Sequence, residues 1–98
     1  MKIPPEAIAD LRQLREKLHR AHLRPTIDGD TLVLPFRTKV PAENALDVLD
    51  LAGVEAVLVT EPKSVRRGNA KHRVLATPPR PVLDYLMRRI DLREMLDA

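Results

Sequence analysis

Five formal positive charges fall within one short stretch, Lys63-Ser-Val-Arg-Arg-Gly-Asn-Ala-Lys-His-Arg73, which holds a histidine and no acid. The side chains of Lys63, Arg66, Arg67, Lys71 and Arg73 are the kind that phosphate oxygens take. Arginine offers a bidentate fork and lysine a point charge. Gly68 and Asn69 allow a sharp turn at the tip, and the Asn69 amide can bond a base edge. The same stretch also reads as a solvated loop or as the contact for an acidic protein.

A second basic series runs through Arg12, Arg15, His19 and His22, at spacings of three, four and three. On a helix these residues line one side, with Lys17, Arg20 and Arg24 nearby, and such a stripe can lie along phosphates. It can equally be the wet face of an amphipathic helix. His19 and His22 are one turn apart, a spacing that suits a metal, but a stable site needs further ligands. The chain has no cysteine, and no carboxylate completes a set, so neither a metal nor another cofactor is expected.

Catalysis has little to work with. The serines and threonines are Thr26, Thr31, Thr38, Thr60, Ser64 and Thr77, and none sits in a nucleophile elbow. With three glycines the chain has no phosphate-cradling glycine pattern. Glu43, Asp47 and Asp50 share a helix face, which reads as solvated or as a cation contact. His72 beside Arg66, Arg67 and Lys71 could move protons in a metal-free ribonuclease, the weakest of the readings. No catalytic residue is assigned.

The elements that must position these residues follow from periodicity. Ala7, Leu11, Leu14, Leu18 and Ala21 alternate spacings of four and three, which predicts an amphipathic helix from Pro4 or Pro5 towards Pro25. Asp28-Gly29 predicts a tight hairpin between Pro25-Thr-Ile27 and Thr31–Phe36. Pro41 to Ala52 reads as a second helix capped by Gly53. Val54–Thr60 reads as a central strand covered on both sides, because its charges lie only at the ends. A loop over 62–71, a strand His72–Thr77 and a third helix from Pro81 complete the chain. Asp91 and Glu94 have capping-box spacing, so that helix can break and restart at Leu92.

The fold class is therefore α+β: one domain over residues 1–98, with a small four-stranded, mostly antiparallel sheet packed by three helices in the order α-ββ-α-ββ-α. At 98 residues with 44% hydrophobic residues and two aromatics, Phe36 and Tyr85, its core must be aliphatic. Leu11, Leu14 and Leu18 belong either to that core or, with Leu92 and Leu96, to a surface for a second copy or a protein partner. Residues 41–62 carry five acids and no base, against six bases and no acid over 63–80, which offers another route to self-association. No apolar run is long enough to span a membrane, and the N-terminus lacks a signal-peptide pattern, so a cytoplasmic protein is expected.

Over residues 31–77 the order strand, helix, strand, basic hairpin loop, strand is similar to the C-terminal part of Alba-type chromatin proteins, whose basic hairpins embrace DNA. The likeness is one of element order. The opening strand and the phosphate-facing loop of that family have no counterpart here, so no residue role carries over.

The leading expectation is a non-catalytic nucleic-acid-binding module. Duplex DNA is preferred to single strands, because two aromatics cannot build a stacking platform. Lys63, Arg66, Arg67, Asn69, Lys71 and Arg73 would make the contacts, helped by Arg12 and Arg15. The alternative is a small adaptor or inhibitor acting through helix faces.

Overall fold

The computed structural model describes residues 3–61 and 72–98. Lys63, Arg66, Arg67, Asn69 and Lys71, and with them the expected loop 62–71, lie outside the described residues. The elements are α1 (Pro5–Arg20), β1 (Thr26–Asp28), β2 (Thr31–Phe36), α2 (Lys39–Leu51), β3 (Ala56–Thr60), β4 (His72–Ala76), α3 (Arg80–Leu86) and α4 (Leu92–Asp97). The α+β class and the element order are as expected. The count of helices is four because the last one breaks.

The sheet runs β1-β2-β4-β3 and every pairing is antiparallel. β2 and β3 are thus parallel, joined through α2, with β4 inserted between them as in a split βαβ unit. This places β3 at an edge, where the sequence suggested a central strand covered on both sides. An uncharged run of five residues does not distinguish a central strand from an edge strand with an apolar outer face.

Register explains the layering. Leu32 faces Ala76 and Leu34 faces Val74, while Ala56 and Leu58 stand beside the same two partners from the other side. Leu32, Leu34, Phe36, Val74 and Ala76 are all buried, so one face of the sheet carries the core. α2 packs against β2, β3 and β4 on that face; α1 packs on α2, and α3 on α1 and α4. Val33, Pro35 and Leu75 on the opposite face are half-buried, and Val57 and Val59 are exposed.

The hairpin turn is one residue later than Asp28-Gly29. Asp28 pairs with Thr31, leaving Gly29 and Asp30 as the turn, and only Gly29 has a positive φ, 64°. That is the pattern of a II′ turn, which needs glycine at its first central position. α4 begins as its sequence predicts. The Asp91 carboxylate accepts the Glu94 N–H at 2.8 Å, and the Glu94 carboxylate accepts the Asp91 N–H at 3.2 Å.

Three helices end in the same backbone motif. After α2, the Val54 N–H donates to Leu49 O and the Gly53 N–H to Asp50 O, with Gly53 at φ 78°. This is a Schellman cap with its usual glycine. After α1, the Leu23 N–H donates to Leu18 O and the His22 N–H to His19 O, and His22 is left-handed at φ 56°. After α3, the Arg89 N–H donates to Asp84 O and the Arg88 N–H to Tyr85 O, with Arg88 at φ 61°. α1 therefore stops at Arg20, short of Pro25, because this cap closes first.

Candidate phosphate-binding site

The two caps without glycine lie side by side. The end of α1 and the end of α3 line a cavity of about 360 Å³. α1 contributes Arg15, Leu18 and His19, its cap adds His22 and Leu23, and Arg24 and Pro25 lead on towards β1. α3 contributes Leu86, and its cap adds Met87 and Arg88. The lining thus holds three arginines, two histidines and no acid.

Arg15 is the fixed member of this set. Its guanidinium carbon stands 4.4 Å from the centroid of the Tyr85 ring, and Tyr85 is only 2% exposed. Stacking on a buried ring orients the guanidinium plane. The Arg15 Nε is buried and has no acceptor among the described residues. A buried donor left unpaired costs about 1–3 kcal/mol, so this N–H has a strong incentive to meet an oxygen. His19, His22, Arg24 and Arg88 are exposed at the rim. The nearest carboxylate contact is that of Glu16, whose Oε1 is 4.0 Å from Arg88, a weak surface pair.

Both helices present their C-termini here, and a helix C-terminus carries about half a negative charge. Two such ends oppose an anion with about one charge in total, screened by water. The three arginines carry full charges, and the Schellman bonds occupy carbonyls of the last turns. The balance at the cavity is positive. The dipoles do account for some bases at these ends, but they give no reason for His and Arg to hold left-handed positions that glycine fills at no cost.

The structure divides the residues that the sequence grouped. Arg12 is exposed one turn before Arg15, outside the cavity lining. Arg73 is exposed on β4, aligned with Pro35 and Val59 on the sheet face away from the core, and forms an ion pair with Glu61. The sheet and the helical layer therefore separate Arg73 from Arg12 and Arg15. Leu11, Leu14 and Leu18 are at most 5% exposed, so the domain's own core takes them. Leu92 is half-buried and packs on the core, and Leu96 is 46% exposed.

The other constellations stay apart. His72 Nδ1 lies 3.1 Å from Thr60 Oγ1, a cross-strand hydroxyl–imidazole pair, but no third group orients the ring among the described residues. Glu43, Asp47 and Asp50 are exposed on α2, and no cluster of three metal-capable side chains exists among the described residues. A larger cleft of about 520 Å³ between α1 and α2 has a mainly apolar floor, including Leu14, Phe36 and Ala45, and no acid–base pair suited to proton transfer.

Arg88 was not among the residues that the sequence put forward; Arg24 stood there only as a neighbour of the stripe, and His22 only as one of its members. One signal was present. Schellman caps favour an apolar contact between residues five apart. Leu18 and Leu23 bracket His22 as Leu49 and Val54 bracket Gly53. At the α3 cap the pair is ionic, Asp84 with Arg89 at 3.4 Å, which hides the pattern. No helix among the described residues is long and apolar enough to cross a membrane. No known protein family, curated protein or solved structure matches the chain.

Proposed function

We propose that this chain is a non-catalytic nucleic-acid-binding module that takes backbone phosphates of duplex DNA at the α1–α3 cavity, with the basic stretch 63–73 as a second contact. The observation that carries the reading is Arg15, stacked on Tyr85 with its buried Nε unpaired. A phosphate in the cavity can engage the Arg15 guanidinium, and His19, His22, Arg24 and Arg88 supply further donors around it. Phe36 and Tyr85, the only aromatics of the chain, are 4% and 2% exposed. Neither can stack on a base, which favours a duplex read through its backbone. Contacts of this kind fix register and carry little sequence information.

The test is a titration with labelled duplex DNA and single-stranded RNA at low and moderate salt. Arg24→Glu with Arg88→Glu should weaken duplex binding at least tenfold and flatten the salt slope by about one unit per lost phosphate contact. Arg66→Glu with Arg67→Glu asks the same of the second contact. Unchanged affinity in the first double variant refutes the cavity; unchanged affinity in both refutes the function.

A further inference from the structure

Among the described residues no strand pairs with the outer side of β3, and the hydrogen bonding there can be worked out. The Thr77 N–H donates to Glu55 O at 3.1 Å, and these two residues stand opposite each other in the register that pairs Ala56 with Ala76. Hydrogen-bonded and non-hydrogen-bonded pairs alternate along an antiparallel ladder. Glu55, Val57 and Val59 therefore turn their N–H and C=O groups to β4. Ala56, Leu58 and Thr60 turn theirs outward, where no strand pairs with them among the described residues.

The two sheet edges are treated differently. β1 is a three-residue strand with Pro25 before it and Asp28 and Asp30 at its end, the devices that blunt an edge. β3 reads Ala-Val-Leu-Val-Thr, with no charge and no proline. Beside its free edge, Val57 is 57% and Val59 41% exposed. They continue a row across the open face through Leu75 and Val33, which stand in register with Val57.

We propose that β3 pairs antiparallel with β3 of a second copy of this chain about a twofold axis, joining two four-stranded sheets into one. A second copy is the fitting occupant because this edge is self-complementary. With Leu58 opposite Leu58 of the other copy, Ala56 meets Thr60 and Thr60 meets Ala56. All three outward residues then form hydrogen-bonded pairs, each exchanging two bonds. Val57 of one copy lies beside Val59 of the other, so the exposed valines close on each other. At the ends, Glu55 faces Glu61 of the other copy. Like charges opposite each other oppose pairing, and the Arg73–Glu61 ion pair offsets part of this. This interface is independent of the phosphate site.

Sedimentation of the full chain over a range of concentrations tests the pairing, with hydrogen exchange of single amides as the second readout. A dimer is expected, with protection of Ala56, Leu58 and Thr60 amides that rises with concentration, while Val57 and Val59 are protected throughout. Glu55→Arg places opposite charges at both ends and should tighten the dimer about tenfold, a gain that misfolding cannot produce. Val57→Lys with Val59→Lys should give a folded monomer, the fold being checked by circular dichroism. A wild type that stays monomeric and is not dimerised by Glu55→Arg overturns the proposal. So does a dimer indifferent to Glu55→Arg whose Leu58 amide exchanges freely.

Discussion

Replacing the left-handed His22 and Arg88 by glycine should make the protein more stable and a poorer binder of DNA. An L-residue in the left-handed region costs about 1–2 kcal/mol, and glycine removes that cost. Glycine also gives the unfolded chain more freedom, which costs about 0.5–1 kcal/mol. The net gain is about 0.5–1 kcal/mol per site, larger for Arg88 because histidine tolerates this region better than arginine. Both side chains are exposed, so little packing is lost with them. In a domain this small the double variant should melt roughly 4–8 °C higher per kcal/mol gained. The α2 cap supplies the control. A Cβ built on Gly53 meets nothing within 4 Å, so Gly53→Ala introduces only backbone strain. It should cost about what the other changes gain, with the opposite sign. Urea unfolding followed by circular dichroism reads all three, with the m-value shared. The same His22→Gly and Arg88→Gly proteins should bind duplex DNA more weakly, since each removes a cavity side chain. If Arg88→Gly leaves stability unchanged while Gly53→Ala lowers it, the strain reasoning fails. If the glycine variants gain stability at undiminished affinity, the left-handed residues have nothing to do with binding.

Three further expectations follow from the packing and from Arg15. Leu11 is fully buried at the centre of α1, so Leu11→Ala should cost about 2–5 kcal/mol in a urea titration. Asp91→Ala removes one arm of the α4 capping box and should cost about 1 kcal/mol; Asp91→Asn, which can still accept the Glu94 N–H, should restore most of it. Arg15→Lys keeps the charge but loses the planar fork over Tyr85, so DNA affinity should fall by more than charge counting predicts while the salt slope stays nearly unchanged.

Much of the fold was readable because its signals are local. The spacing of Leu11, Leu14 and Leu18 announces a helix, and they are buried with Ala7 as the periodicity named, while Ala21, the last of that series, lies exposed at the cap. Gly53 and the Asp91–Glu94 pair punctuate their helices at the residues where the sequence placed them. What the sequence could not carry is long-range. Whether β3 is central or at an edge depends on where β4 returns, and neither strand encodes that. Leu14 looks the same on a core helix and on a dimer helix until the neighbours are known. The candidate site was half legible for the same reason. Arg15, His19 and His22 share a helix and show as a stripe. Arg88 joins them only because α3 ends beside α1, across a gap of 65 residues that no periodicity spans.

The scarcity of aromatic residues has an optical consequence. The chain has no tryptophan and one tyrosine, so its intrinsic emission comes from Tyr85 alone. That ring is buried, away from quenching by water, and its nearest cation is the Arg15 guanidinium that a phosphate would engage. Any ligand that draws the guanidinium aside changes the surroundings of the single fluorophore. The protein therefore carries its own label directly behind Arg15 of the cavity lining, and occupancy can be followed in the unmodified chain without attaching a dye.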